Sequence, residues 1–274
     1  MISCPTIKKK SIRFHYDLAT PLYRLFWGRH IHHGLWSGDE SPRQAQQQLT
    51  DALARAAVRY GDRVLDVGCG MGGSAIYLAR EYGCRVRGVT VSRVQQGWAT
   101  AAAWWQRAGR DAHFCCADVE AMQLERQSLD LVWSIECTEH LFDKPEFFRR
   151  AAGALRRGGR IAVCAWLASD CDSDENRRQV EAVCKKFLCP SLGTMTDYQR
   201  WMNSSGLTLN VCQDWTDRVT KTWEICLERV RRSKIRYLAG LSSETADFLD
   251  GFETILQAYR SGALRYGALV FELR

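Results

Sequence analysis

With 274 residues, 46% of them apolar, the chain is long enough to bury one large core or a core with an appendage. Its formal net charge of +7 sits in short clusters such as KKKSIR and RVRRSKIR that lack the interleaved aromatics of a nucleic-acid-binding face; nucleic acid is therefore not expected as a partner, and a membrane is met at most peripherally. No apolar stretch approaches the roughly 18 residues that span a bilayer, and the twelve cysteines sit mostly in apolar runs such as HFCCADV with no Cys-x-x-Cys pair, which describes a cytoplasmic protein with reduced thiols and no structural metal.

An aromatic-rich segment (11–36) comes first, then a helix over about 42–58 with Ser41 as its N-cap. Strands then alternate with helices. The strands are expected at 63–68, 85–91, 113–118, 129–135 and 160–167, and the helices at about 72–81, 92–108 and 145–156. Short apolar strands separated by helices imply right-handed crossovers, hence an α/β fold with a doubly wound, mostly parallel, Rossmann-like sheet. Beyond residue 168 the pattern breaks: acidic SDCDSDEN leads to helices over 175–187 and 195–205, a strand in LTLNVCQDW, a helical region over 218–260 and a final strand in RYGALVFELR. The expected organisation is a helical cap (1–60), a ligand-binding core (61–168), and a helical lid whose last strand or strands return to the sheet (169–274).

The stretch VLDVGCGMGGSAIYLA (64–79) is the first strand, turn and helix, the usual ligand site of an open parallel sheet. Its turn contains Gly-x-Gly-x-x-Gly at Gly68, Gly70 and Gly73, a pattern shared with dinucleotide-binding proteins and weak by itself. Two features point away from a nicotinamide cofactor. Asp66 stands two residues before the first glycine, where a carboxylate receives an ammonium and repels a pyrophosphate. The second strand ends in GVTVS, without the acid that a nicotinamide enzyme sets against the adenosine ribose. S-adenosyl-L-methionine has an adenosine, an ammonium and a sulfonium but no phosphate, and meets both conditions. Asp118, at the tip of the third strand, can accept from the adenine amino group, with the backbone near Val119 against the ring. The succession of strand, ECTEHLF loop, helix, RRGGR turn and strand over 128–163 completes the order expected of a class I S-adenosylmethionine-dependent methyltransferase.

The segments YDLATPLYRLFWGRHIHHGLW, GVTVSRVQ, WSIECTEHLFDK, LCPSLGTMTDY, DWTDRV and AYRSGALRYGALVFELR carry a more specific likeness. From about residue 12 to its end the chain resembles the tocopherol methyltransferases and their relatives, which include plant indole-alkaloid N-methyltransferases; cyclopropane-fatty-acid synthases are close cousins. The resemblance implies that Asp66, Gly68 and Gly70 hold the methionine end of the donor and that Thr90, Ser92 and Gln95 contact its ribose. It places Asp118 and Val119 at the adenine and the backbone carbonyl of Ser134 at the ammonium, with S-adenosyl-L-homocysteine as product. Arg93 stands where such proteins often have proline, a replaceable first residue of a helix. The plant members carry a longer leader for plastid import, and the short segment here implies a bacterial, cytoplasmic protein.

Methyl transfer from a sulfonium needs alignment and exclusion of water more than it needs a strong acid. Tyr16, Tyr23, Trp27, His32, His33 and Trp36 are candidates to cover the donor, with Tyr16, His32, Trp36 and Glu136 placed against the acceptor. Glu139 and His140 follow the fourth core strand and are the expected base, the carboxylate orienting the imidazole; His33 is the second candidate. Apolar residues of the insertion, Trp201, Trp215, Trp223 and Phe252 among them, suit a hydrophobic small-molecule acceptor. C-methylation of an aromatic or prenylated compound, as in tocopherol methylation, is the first expectation. N-methylation of an indole or another amine, and methylation of a lipid alkene, remain alternatives.

Overall fold

The computed structural model describes the chain apart from residues 27, 29, 172 and 233–242 and the side chains of 22, 25, 26 and 243–249. Trp27, expected to cover the donor, lies outside the described residues. The chain opens with strand β1 (Ile2–Ser3) and helices α1 (Lys9–Phe26) and α2 (Pro42–Ala57). The alternating part follows: β2 (Arg63–Val67), α3 (Gly73–Tyr82), β3 (Arg85–Thr90), α4 (Arg93–Trp105), β4 (Ala112–Cys116), β5 (Leu129–Ile135), α5 (Lys144–Ala154) and β6 (Leu155–Ala168). The remainder holds α6 (Asp174–Lys186), β7 (Ser191–Leu192), α7 (Met195–Ser204), β8 (Leu207–Asp214), α8 (Thr216–Arg232), α9 (Ser243–Ser261) and β9 (Leu264–Leu273).

Seven strands form one sheet in the order β4-β3-β2-β5-β6-β9-β8. Neighbours from β4 to β6 pair in parallel, while β9 runs antiparallel to both β6 and β8. This is the doubly wound, mostly parallel α/β sheet expected from the sequence. Alternate residues of each central strand enter opposite cores. Val64, Leu131 and Ala162 meet α2, α3, α6, α8 and α9 through Leu49, Ile76, Val180, Trp223 and Ile255. Leu65, Val132 and Val163 meet α5 and α7 through Phe147, Phe148, Tyr198 and Met202. The strand order reverses between β2 and β5, so their carboxyl ends flank the crevice where such sheets bind ligands.

Local chemistry sets the boundaries. Ser41 caps α2 in a capping box with Gln44, as expected. Helix α4 ends at Trp105, short of the expected 108, because the chain turns into the left-handed region at Arg107 (φ 57°). Strand β6 begins at Leu155: pairing with β5 starts there, loops out through the RRGGR segment with Gly158 at φ 71°, and resumes at Arg160.

Two parts of the C-terminal third differ from the expected arrangement. Helix α7 packs under the sheet against α5, and β8 forms the sheet edge, so residues 195–214 complete the sandwich; the covering pieces are α6, α8 and α9. The buried stripe Tyr198, Trp201 and Met202 explains this, because it matches the apolar face left open by α5. The N-terminus also contributes a strand, since β1 pairs antiparallel with β7 in a separate two-stranded ribbon.

Candidate active site

A cleft of about 1010 Å³ opens at the carboxyl ends of β2, β3 and β5. It is lined by Asp66, Gly68, Gly70, Thr90, Gln95, Asp118, Val119, Glu136 and His140, together with Lys9, Ile12, Tyr16 and His32 from the N-terminal segment. Gly68 has φ 74°, and a Cβ there would lie 2.3 Å from the Cys137 side chain, so only glycine lets the turn pass the β5 loop. Gly70 (φ 52°) has no neighbour within 4 Å of where its Cβ would stand, so its backbone faces open space in the cleft.

Asp66 is 2% exposed, and among the described residues its Oδ2 has no hydrogen-bond partner. Burial raises its pKa to about 7, against the opposing backbone N–H of Ala75. An unpartnered carboxylate oxygen buried beside a glycine turn fits the ammonium of an amino-acid ligand. The Thr90 hydroxyl donates to Gln95 Oε1 at 2.7 Å, and both residues line the cleft. Asp118 also lines the cleft, with Oδ2 bound to Lys9 Nζ at 2.6 Å, while Glu120 holds the same ammonium at 2.8 Å. Lys9 was not among the expected site residues, since its KKK run reads as a solvated charge cluster.

Two residues expected at the donor, Ser92 and Ser134, are not among those that line the cleft. Ser92 is fully buried: its hydroxyl accepts from the N–H of Gln95 as the cap of α4 and donates to Asp17 at 2.6 Å, which commits it to helix structure and to anchoring α1. Ser134 is buried and donates through Oγ to the Val67 carbonyl, a side-chain bond that leaves the expected use of its backbone carbonyl open, and the next residue, Ile135, lines the cleft.

A second cavity of about 640 Å³ adjoins the first, and the two share Tyr16, Ile31, His32, Glu136 and His140. Its walls add Tyr23, His33, Glu139, Trp166, Phe187, Trp223 and Phe252. Of the insertion residues expected to form an acceptor pocket, Trp223 and Phe252 line it, while Trp201 and Trp215 belong to the core. Trp36 lines neither cavity: its indole donates to Thr222 at 2.9 Å and its ring lies under Lys221, so it joins α8 to the cap.

His140 sits at the junction. Its Nδ1 is 3.1 Å from the carbonyl of Leu188, which can only accept, so the proton is on Nδ1 and Nε2 accepts from the Tyr16 hydroxyl at 2.8 Å. Burial lowers its pKa to about 4, leaving a neutral imidazole. Glu139 does not orient it. The Glu139 Oε1 accepts from the backbone N–H of Trp166 at 2.6 Å, Oε2 has no partner among the described residues, and burial raises the pKa to about 8.

The carboxylate–imidazole pair of this site is instead Glu136 and His33, 2.9 Å apart. Glu136 Oε1 accepts from the His33 backbone N–H, from His33 Nδ1 and from the Tyr266 hydroxyl, and Oε2 accepts from the Trp166 indole. His33 Nε2 accepts from the Trp223 indole. Both ring nitrogens of His33 are therefore committed, and it has no lone pair for an acceptor proton, contrary to its expected place as second base. Trp166 and Tyr266, which complete this hub, lie in strands whose apolar runs mark them only as core.

The fold and this cleft define a class I S-adenosylmethionine-dependent methyltransferase. The chain belongs to the family described as Mycolic acid cyclopropane synthetase, whose model matches residues 5–264. It is 29% identical over 284 residues to a tocopherol O-methyltransferase, chloroplastic, of Arabidopsis thaliana, covering 95% of this chain and 81% of the relative. Among solved structures it is similar to the cyclopropane synthase MmaA2 of Mycobacterium tuberculosis, with a TM-score of 0.84, 19% identity, and 98% of this chain and 100% of that one covered. It is also similar to a geranyl diphosphate C-methyltransferase of Streptomyces coelicolor A3(2), solved with Mg2+, geranyl-S-thiolodiphosphate and S-adenosyl-L-homocysteine. There the TM-score is 0.77 and the identity 18%, and 99% of this chain and 100% of that one are covered. Among the described residues, no helix is long and apolar enough to cross a membrane.

Proposed function

We propose that this methyltransferase acts on a hydrophobic aromatic acceptor bound in the second cavity, with methylation of an activated ring carbon as its reaction. The observation that carries this reading is the junction of the two cavities at Tyr16, His32, Glu136 and His140. A ligand in the cleft and a ring in the aromatic-walled cavity meet there, beside a neutral imidazole.

Asp66 would hold the donor's ammonium, with the backbone of Gly68 and Gly70 along its methionine end. Thr90 and Gln95 would meet the ribose, and Asp118 and the Val119 backbone the adenine, with Lys9 closing over that end. When bound, S-adenosylmethionine supplies an activated methyl group on a sulfonium. The protein's part is alignment and exclusion of water, and α1, the His-His-Gly turn and α8 and α9 enclose the junction for that purpose. Because Nε2 of the neutral His140 already accepts from the Tyr16 hydroxyl, the proton that a phenol or ring carbon loses would pass to the Tyr16 oxygen as the tyrosine proton moves to Nε2, with Tyr16 as relay and His140 as the final base. Glu139 is poised by burial to hold a proton close by. A cytoplasmic location remains part of this proposal.

The test is a panel of tocopherol precursors, prenylated quinols, indoles and unsaturated phospholipids incubated with labelled donor, with products assigned by mass spectrometry and NMR. Methyl on a ring carbon of a phenolic acceptor supports the reading. Methyl on oxygen, on an indole nitrogen or across an alkene, with the phenolic ring untouched, replaces it.

A further inference from the structure

The inner face of α1 lines both cavities through Ile12, Tyr16 and Tyr23, yet its outer face carries Phe14 and Leu18, 65% and 66% exposed. Helix α1 lies alongside α4. Asp17 accepts from the N–H of Val94 in the first turn of α4, and Arg24 shares a surface hollow with Gln106 just past its end. Trp98, one turn after Val94, is 43% exposed, and Trp104 and Trp105 at the end of the helix are 75% and 77% exposed. Five large apolar side chains thus project from one helix pair, where isolated exposed apolar residues would be ordinary.

Charge selects the occupant of this face. Helices α1 and α4 carry Lys9, Lys10, Arg13, Arg24 and Arg93 against one acid, Asp17, whose carboxylate is held by Ser92. Lys9 is turned inward to Asp118 and Arg13 reaches Asp17 at 3.8 Å, but Lys10, Arg13 and Arg93 are all exposed on the two helices that carry the apolar side chains, and exposed Arg107 and Arg110 follow Trp105 in the chain. Tryptophans amid basic side chains match the headgroup region of an anionic bilayer, where the rings enter the acyl boundary and the cations meet lipid phosphates.

We propose that the outer face of α1 and α4 docks this protein on an anionic lipid bilayer. The inference uses the hydrophobic-acceptor reading only for its purpose: the wall between the membrane and the acceptor cavity is then α1 itself, and an apolar acceptor passes to the site without crossing bulk water. Binding is measured without turnover, so it can fail while the acceptor reading stands, and the reverse.

The experiment is co-sedimentation of the full chain with vesicles of phosphatidylcholine alone and of phosphatidylcholine mixed with phosphatidylglycerol. It compares wild type, Trp104→Ser with Trp105→Ser, Phe14→Ser with Leu18→Ser, and Arg93→Ala, with binding of S-adenosylhomocysteine confirming the folded state of each. The expected result is binding to the anionic vesicles that weakens with salt, falls roughly fivefold with loss of the one arginine and falls further in either apolar double variant. Absence of binding to anionic vesicles, or binding at the wild-type level by both apolar double variants, overturns the proposal. So does a wild-type dimer in light scattering that the tryptophan variant dissociates, because a second copy would then cover the face.

Discussion

The hydroxyl of Tyr16 lies 2.8 Å from Nε2 of His140, and this contact joins the helix that covers the site to the loop that follows β5. The Leu188 carbonyl fixes the imidazole tautomer from the other side. A base in this position works in its neutral form, which burial favours down to about pH 4. His140→Ala should therefore lower kcat by about 10² to 10⁴ while leaving S-adenosylhomocysteine affinity unchanged, and Tyr16→Phe should lower it less. At saturating donor the wild-type kcat should stay level from pH 8 to about pH 5 and fall only as the ring protonates. Full turnover by the His140 variant would remove the base.

Asp66 gives a second pH dependence of opposite origin. Burial holds its pKa near 7 in the free protein, and a ligand ammonium binds the ionised form. Affinity for S-adenosylhomocysteine should then rise as pH increases through 7, with proton release visible as a dependence of the calorimetric heat on the buffer. Asp66→Asn removes the charge and should weaken binding by about 1.5–3 kcal/mol, a loss of tenfold or more, and flatten the profile. An unchanged affinity in that variant, or tight binding of a nicotinamide dinucleotide, would contradict the donor assignment.

What the sequence disclosed follows from the range over which each signal acts. The strands were legible because VLDV, LDLVWSI and RIAVCAWLA are apolar runs bounded by glycine turns, and the place of Asp66 at the cleft was legible because it follows from the strand end and the glycines beside it. The loop ECTEHL was recognisable as part of the site, but the partners of its carboxylates were not. Glu136 pairs with His33 across 103 residues and Glu139 binds the backbone of Trp166, contacts set by how the cap and β6 meet rather than by any local spacing. Ser92 illustrates the opposite error: the helix-capping use of its hydroxyl was locally available and takes precedence over ligand contact. Helix α7 and strand β8 were assigned to the lid because the sheet's return by β9 came last in sequence, so the insertion looked continuous.

Beneath the sheet's amino end, Arg160 is 4% exposed and donates to both carboxylate oxygens of Asp62, at 2.9 and 3.0 Å, and to the Ala57 carbonyl at 2.6 Å. This pair ties β6 to the segment that joins α2 to β2. Asp62→Ala leaves a buried guanidinium without its counter-ion and should cost about 3–5 kcal/mol, read as a lower urea midpoint with an unchanged slope. Adding Arg160→Met to it should recover much of that loss, because the unpaired charge is gone. A single variant within experimental error of wild type would show that water reaches the pair.

Glu136 is the strongest test of how the lid is held. Its backbone is left-handed, φ 52°, and among the described residues its two oxygens face donors: the His33 N–H and Nδ1, the Tyr266 hydroxyl and the Trp166 indole. Burial alone would raise its pKa, but the contacts with His33 override it and carry the group down to about 2 from 4.5. A carboxyl with a lowered folded-state pKa stabilises the fold above its unfolded value and loses that contribution as pH falls from about 4.5 towards 2. Glu136→Gln places an amide N–H₂ against N–H donors and should destabilise the protein by at least about 1–3 kcal/mol at pH 7. The gap in melting temperature between wild type and variant should narrow as pH drops below 4.5, since protonation removes from the wild type what the amide lacks at every pH. Because His33 also accepts from Trp223 of α8, the same variant should increase hydrogen exchange in α8 more than in α5. A pH-independent gap, or equal exchange in both helices, would mean that packing rather than this carboxylate holds the lid against the core.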